Sequence, residues 1–373
     1  WLSWYTKSDR YSRTKFNADL ETLRAWYLAR GYLEFRVDST QVAISPNKQD
    51  ISITINITEG AQFVVSAVEL EGYYLGRDNE FKSLVTIKPG KTYNVTDVVE
   101  TTKAFSEFFG NFGFAFARIE PRTEIDRKTN QVKIFLQADP SRRAYVRRIN
   151  IFGNERTKDD IIRREFRQME SAWYDGEKIR MSRDRIDRLG YFTEVLIDTQ
   201  EVPGTADQVD INLKVTEKPT GAVTVGAGFS STEKLILSAG INQDNAFGTG
   251  TAVGLNASLG KINQNFTLSN YDPYFTEDGI SRFTELYTRT NRPLYYAGDT
   301  EYKLVTTGGS FKLGVPYTEI DRVFFGLGYE QLSITTSVYT PQRYINYLNS
   351  YGNNTHNVPF TIGWSRDGRD SAL

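Results

Sequence analysis

Val209-Asp210-Ile211-Asn212-Leu213-Lys214-Val215-Thr216-Glu217-Lys218-Pro219-Thr220-Gly221 joins two kinds of sequence. Val209, Ile211, Leu213 and Val215 alternate with polar residues at period two, the mark of a half-buried strand. Lys218-Pro219 ends that strand, and from Gly221 onward the chain turns to long, glycine-rich alternating segments. Lys218–Gly221 leaves no flexible linker, so the elements on its two sides are expected to lie close together.

Toward the N-terminus one local pattern recurs: a helix ending in Gly-aromatic, an extended stretch, then an alternating apolar strand. It is seen at Tyr27-Leu28-Ala29-Arg30-Gly31-Tyr32 before Ile51–Ile57, at Gly110-Asn111-Phe112-Gly113-Phe114 before Val132–Leu136, and at Arg188-Leu189-Gly190-Tyr191-Phe192 before Val209–Val215. The glycines at 31, 113 and 190 are 82 and 77 positions apart, a period of one small domain.

The middle copy reads in full as β-α-α-β-β. Phe63–Glu71 is a strand stopped by Gly72, and a short helix near Asp78–Val85 is broken by Lys88-Pro89-Gly90. Thr96 is expected to cap a helix whose buried face is Val98, Thr102, Phe105 and Phe109. Phe114–Glu124 is extended, and Asp126–Asn130 turns into the strand of Val132, Ile134 and Leu136. In the last copy Tyr145–Phe152 leads to Gly153-Asn154, and Thr157–Asp160 reads as a capping box. Ile162, Phe166 and Met169 are its expected buried helix face, with a second helix over Lys178–Leu189 and an extended Tyr191–Gln200. The first copy lacks its opening strand and helix and begins at its second helix, marked by Leu20, Leu23 and Tyr27.

Beyond Pro219 the expected strands are Ala222–Phe229, Lys234–Gln243, Thr249–Leu259, Gln264–Tyr271, Ile280–Thr290, Glu301–Val315, Arg322–Thr336 and Val358–Ser365. Thr251, Val253, Leu255, Ala257 and Leu259 oppose Ala252, Gly254, Asn256, Ser258 and Gly260; Val358, Phe360, Ile362 and Trp364 oppose Pro359, Thr361, Gly363 and Ser365. One face suits lipid and the other a polar lumen. Alternation alone equally suits a soluble β-sandwich. Strand length, glycine on the polar face, and tight turns (Ser230–Glu233, Pro316–Asp321) beside a long polar loop (Thr340–Asn357) tip the balance to an outer-membrane barrel.

Composition agrees. The 373 residues carry a net charge of −1, which gives no polybasic field for nucleic acid. Mean hydropathy is −0.46 and no apolar run is long enough for a transmembrane helix, a limit that does not apply to barrel strands. The 22 Tyr and 23 Phe serve α/β cores before residue 219 and suit interfacial girdles after it. Without cysteine there are no disulfides or thiolate metal sites. The chain opens at Trp1 without Met or signal peptide and closes on Arg369-Asp370-Ser371-Ala372-Leu373, as expected of an internal stretch of a longer protein.

Several stretches resemble the BamA family of outer-membrane-protein assembly factors, with its POTRA repeats and β-barrel. In the modules they are Asp38-Ser39-Thr40-Gln41-Val42, Asn56-Ile57-Thr58-Glu59-Gly60, Arg163-Arg164-Glu165, Arg167-Gln168-Met169-Glu170, Arg188-Leu189-Gly190 and Asp207-Gln208-Val209-Asp210. In the barrel they are Gln243-Asp244-Asn245, Gly248-Thr249-Gly250 and Asp272–Gly279. The resemblance implies a partial third module at residues 1–60, a fourth at 61–140, a fifth at 141–218, and at 219–373 the N-terminal half of a sixteen-strand antiparallel transmembrane barrel. It also implies a Gram-negative outer-membrane location with periplasmic modules, and as partners unfolded outer-membrane proteins, assembly lipoproteins and outer-membrane lipid. Insertion would proceed by strand templating at a weak seam, whose first strand contains Gly221, Val223, Val225, Gly226 and Gly228. The last module would dock a lipoprotein, with Arg163, Arg164, Glu165 and Arg167 as the candidate surface; a charge run on a helix is otherwise an ordinary solvated face. A secretion transporter or autotransporter-assembly protein of the same superfamily, or a passive porin-like anchor, is the alternative.

Nothing points to an enzyme. The single histidine, His356, is expected in a polar loop; Asp159/Asp160 read as a helix cap, Asp367 and Asp370 as a solvated rim, and Gly308-Gly309 as part of a strand. No nucleotide, metal or other cofactor is expected.

Overall fold

The computed structural model describes residues 11–46, 50–294, 301–318 and 320–368. The chain-end expectations at Trp1 and Arg369–Leu373, Asp370, and Glu319 within the Pro316–Asp321 turn lie outside them. Contacts divide the chain into two compact units. One comprises 1–148, 168–179 and 199–210; the other comprises 149–167, 180–198 and 211–373.

The first unit opens with α1 (Arg13–Leu28), capped by the Ser12 side chain, and the antiparallel pair β1 (Arg36–Ile44) and β2 (Ile51–Thr58). Next comes the complete module: β3 (Val64–Gly72), α2 (Asp78–Ser83), α3 (Val95–Gly110), β4 (Arg118–Asp126) and β5 (Gln131–Asp139). Its sheet order is β3-β5-β4, with β3 parallel and β4 antiparallel to the central strand. Phe63, Phe81, Phe105, Phe109, Ile134 and Leu136 are fully buried around Tyr74, whose hydroxyl donates to the Leu136 carbonyl at 2.7 Å. Burial raises the Tyr74 pKa well above the usual phenol value. Two expectations are corrected here. Asn94, and not Thr96, caps α3, accepting from the Thr96 amide at 2.9 Å. Thr101, and not Thr102, lies on its buried face, because its hydroxyl is satisfied at once by the Asp97 carbonyl and by Thr86.

The last copy has β6 (Tyr145–Phe152), α4 (Asp159–Arg163), α5 (Gly176–Arg188), β7 (Phe192–Glu201) and β8 (Gln208–Glu217), with sheet order β6-β8-β7. The β-α-α-β-β order is thus repeated, and so are details. Gly72 and Gly153 both take positive φ (92° and 87°), and a Cβ there would overlap the carbonyl oxygen of Ala138 or Val215 in the closing strand. Only glycine allows the first strand to turn away at that distance. The expected capping box does not form: Lys158 is the N-cap and contributes no side-chain bond, while Thr157 is buried and bonded elsewhere. Met169 is 63% exposed, because α4 ends at Arg163 and the helical phase that would have buried it is lost.

The second unit is dominated by a nine-stranded antiparallel sheet. Its strands are β9 (Gly221–Ser230), β10 (Lys234–Gln243), β11 (Ala252–Leu259), β12 (Asn263–Asp272), β13 (Ser281–Asn291), β14 (Tyr302–Pro316), β15 (Asp321–Thr336), β16 (Asn354–Asn357) and β17 (Phe360–Arg366). Neighbours pair in chain order from β9 to β15, with β16 and β17 both on β15. The register puts Ile241, Leu255, Leu268 and Leu286 in one row across four strands, and Phe311, Leu327 and Phe360 in another. These side chains are exposed, whereas the opposite face carries Asn242, Asn256, Thr267, Glu285, Tyr287 and Glu330. An outward apolar face backed by a polar one is the inverse of a soluble sandwich and fits strands in lipid. No helix among the described residues is long and apolar enough to cross a membrane.

Two loop expectations change. Strand alternation places the tight Ser230–Glu233 turn at the same end of the sheet as residues 337–357, so short turns are not confined to one end. The expected Thr340–Asn357 loop contains α6 (Gln342–Tyr351), whose Tyr344 ring lies tilted against that of Tyr302 at 4.4 Å, and β16. His356 therefore sits in an edge strand, its Nδ1 2.8 Å from the Tyr329 hydroxyl.

Candidate functional site

The second unit joins parts of the last module to the near-end turns of the sheet. The short Lys218–Gly221 connection brings them together as expected, and two polar clusters hold them.

The first cluster centres on Thr157 and Asn245, both buried. The Asn245 side-chain amide donates to the Thr157 hydroxyl at 2.9 Å, and its carbonyl accepts from the Gly250 amide at 2.8 Å. The Lys158 amide donates to the Gly248 carbonyl at 3.0 Å. Gly248 has φ of +72°, and a Cβ there would overlap the Arg156 carbonyl oxygen. The Glu217 carboxylate accepts from the amides of Thr157 (2.7 Å) and Arg156 (3.0 Å). Burial pushes the Glu217 carboxyl up, but these hydrogen bonds and the Arg156 charge outweigh it and hold the group below the usual range. The Tyr191 hydroxyl lies 3.3 Å from the carbonyls of both Asp244 and Gly250, and burial pushes its pKa up to about 12. The glycine-aromatic motif that closes α5 thus supplies a contact to the β10–β11 turn.

The second cluster is built from the charged run. Glu165 is 4% exposed and pairs with Arg185 at 2.8 Å and with Arg164 at 3.8 Å. Arg185 also donates to the Tyr274 hydroxyl at 2.9 Å, and the Arg164 guanidinium stacks on the Tyr274 ring at 4.1 Å. Burial and the Glu165 charge raise the Tyr274 pKa. Gly250 makes room for Arg164, since a Cβ there would lie 2.7 Å from Nη2. Of the four predicted docking residues, Arg164 and Glu165 are thus drawn into the contact with the β12–β13 turn. Arg163 bonds Asp159 at 2.9 Å and keeps a partly exposed side chain, and Arg167 donates from its amide to Ser182 at 2.7 Å. Arg185 was not singled out from sequence, and Tyr191, Asn245 and Tyr274 stood there only within motifs, with no contact assigned, because each acquires its role from a partner distant in the chain.

The predicted first-strand residues sit together on β9, whose one partner among the described residues is β10. Val223 and Val225 are on the apolar face, 73% and 85% exposed. Gly226 and Gly228 are on the opposite face, and a Cβ on Gly228 would meet nothing within 4 Å. Gly221 opens the strand opposite Gln243.

Comparison with known proteins finds two families along the chain. Residues 2–60, 63–139 and 144–218 match the POTRA family, described as a surface antigen variable number repeat, and residues 245–373 match the Omp85 superfamily domain. The chain belongs to the POTRA-bearing Omp85 family. It is 36% identical over 381 residues to the outer membrane protein assembly factor BamA of Neisseria meningitidis, a match covering 100% of this chain and 48% of that protein. The BamA of Buchnera aphidicola is 26% identical over 336 residues, covering 90% of this chain and 54% of that one. The chain therefore spans about half the length of these relatives. Among solved structures, BamA from Haemophilus ducreyi lacking POTRA domains 1–3 superposes with a TM-score of 0.69 at 30% identity, over 82% of this chain and 60% of that one. The POTRA3–5 fragment of Haemophilus influenzae BamA gives 0.51 at 27% identity, over 56% of this chain and 83% of that one. The POTRA modules are periplasmic and the sheet belongs to the barrel of an outer-membrane protein.

Proposed function

We propose that this POTRA–Omp85 chain is the central part of an outer-membrane protein assembly factor. Residues 1–60, 61–140 and 141–218 act as its third to fifth modules and 219–373 as the first half of its barrel. Extended client chains add to module sheet edges such as that of β4, or of β3 beyond Val65, where backbone hydrogen bonds read strand shape and not sequence. Clients then pair with β9, and insertion draws on client folding without nucleotide or catalytic chemistry. Arg163 and Arg167, with the surface around them, receive an assembly lipoprotein.

The observation that carries this reading is β9. It is the first strand of the sheet, paired with β10 among the described residues and anchored below by Gln243 on Thr220 (2.7 Å), and its inner face carries Gly226 and Gly228, which leave little side chain to lock it. Depletion of the intact protein tests the reading. Several unrelated barrel proteins should fall together in the outer membrane while their unfolded precursors accumulate in the periplasm. Loss of a single secreted protein or autotransporter would instead assign a dedicated transporter.

A further inference from the structure

The hairpin of β9 and β10 outruns its neighbour. The two strands pair over Gly221–Ser230 and Lys234–Gln243, but β10 pairs with β11 only from Leu237 to Gln243. Among the described residues, Lys234, Leu235 and Ile236 therefore have ladder partners on β9 alone. The tip of the hairpin, at the end of the sheet away from the Lys218–Gly221 connection, overhangs the ladder.

One side chain spans the gap. Glu233, half-buried in the tip, accepts at Oε2 from the backbone amides of Ile262 (2.8 Å) and Asn263 (3.2 Å), and at Oε1 from the Asn263 side-chain amide. Its backbone carbonyl accepts from the Lys261 amide at 3.3 Å. These donors belong to the β11–β12 turn and the first residue of β12. They are held in place from the far side: the Asn263 side-chain oxygen accepts from the Asn291 side-chain amide at 2.8 Å, and the Ile262 carbonyl accepts from the Arg292 amide at 2.8 Å. Hydrogen bonds to a carboxylate are stronger than those to a neutral acceptor. Burial pushes the Glu233 carboxyl up, but the bonds from Ile262 and Asn263 outweigh it and hold the group below the usual range.

Both turns are shaped for this carboxylate. Lys234 has a φ of +60°, a strained conformation that persists only where its surroundings fix it. The Ser230 hydroxyl accepts from the Glu233 amide at 3.0 Å and steadies the tip. Gly260 has no positive φ to require glycine, yet a Cβ there would overlap Glu233 Oε2. The missing side chain is the room the carboxylate occupies.

The overhanging stretch of β10 pairs with Gly228, Phe229 and Ser230, the outer end of β9. We propose that Glu233 is a positioning residue for strand pairing at β9: its carboxylate latches the hairpin tip to the β11–β12 turn and keeps the outer end of β9 extended for an incoming strand. A preorganised edge binds a strand without first having to be ordered. The inference rests on the reading that clients pair with β9.

Hydrogen exchange of the full-length protein in detergent tests the latch. Glu233→Gln should speed exchange over residues 228–236 about tenfold, the scale of lost hydrogen bonds to a charged group, while 237–243 stay protected by β11. Gly260→Ala keeps the carboxylate but fills its place, so it should act alike, and the two substitutions together should do no more than either alone. Retained protection at 237–243 shows that the variants are folded. Unchanged exchange over 228–236 in both variants would overturn the latch. Client pairing is read in cells from a crosslinking residue at Val225, at equal protein levels, and its yield of client adducts should fall in both variants. Wild-type adducts with an unaltered yield in the variants would show that the latch does not position β9, and would overturn the inference while leaving the β9 reading intact. An absence of adducts from the wild-type protein would overturn that reading and this inference with it.

Discussion

Arg185 donates to the Tyr274 hydroxyl at 2.9 Å across 89 positions of sequence, joining the second helix of the last module to the turn between the fourth and fifth strands from Gly221. The same guanidinium pairs with the buried Glu165. The module is therefore held to the barrel at a point that neither part could specify alone.

Replacing Glu165 by Gln should loosen that contact. The carboxylate is 5% exposed and serves two arginines, so removing its charge leaves buried guanidinium groups uncompensated, at a cost of about 3 kcal/mol. Hydrogen exchange over residues 156–167 and thermal unfolding report it. Unchanged protection would mean that the pair contributes nothing net.

Tyr191→Phe should cost about 1–2 kcal/mol, because the Asp244 and Gly250 carbonyls lose a shared donor. The raised pKa fixes the pH dependence. In the unfolded chain the phenol ionises near 10.0 and in the folded one near 12. Its stabilisation is fully present below pH 10 and is lost as pH rises through 12, so the wild-type and Phe proteins should converge in that alkaline range and differ at pH 7.

Acid should act on the neighbouring carboxylate in the opposite direction. Glu217 is held below its usual range, so its contribution is present above the ordinary glutamate pKa of about 4.3 and is lost as pH falls further. Glu217→Gln should remove that acid-dependent loosening of residues 156–158, read by exchange at low pH.

Gly248→Ala and Gly190→Ala separate conformational strain from overlap. Both positions have positive φ, but Gly190 has nothing within 4 Å of a Cβ while Gly248 would overlap the Arg156 carbonyl. Gly190→Ala should cost about 1 kcal/mol of left-handed strain, and Gly248→Ala clearly more, with the β10–β11 turn displaced. Equal unfolding midpoints would contradict the close approach.

The strands were legible in the sequence because lipid and lumen impose opposite demands on alternate residues. Lys234–Gln243 is found with the expected bounds, and β9, β12, β13, β14 and β15 lie within one residue of them at each end. Val358–Ser365 starts later, at Phe360, because Pro359 has no amide to donate and offers its carbonyl to Gly328 instead. Helix α6 was hidden by its polar flanks, although Tyr344, Ile345 and Leu348 after Pro341 carry helical spacing. The charged run at 163–167 was visible as charge, but its destination was not. Whether Glu165 is solvated or buried depends on Arg185 and Tyr274, and no local pattern connects them.

Photo-crosslinking from β9 in cells tests the central claim most directly. A crosslinking residue at Val225, on the first strand, is compared with one at Leu286, on the same apolar face but in a strand that is paired on both sides among the described residues. The account predicts adducts between Val225 and several unrelated barrel proteins during their assembly, with few or none from Leu286. Equal labelling from both positions, or none from Val225 in a protein that still supports growth, would contradict it.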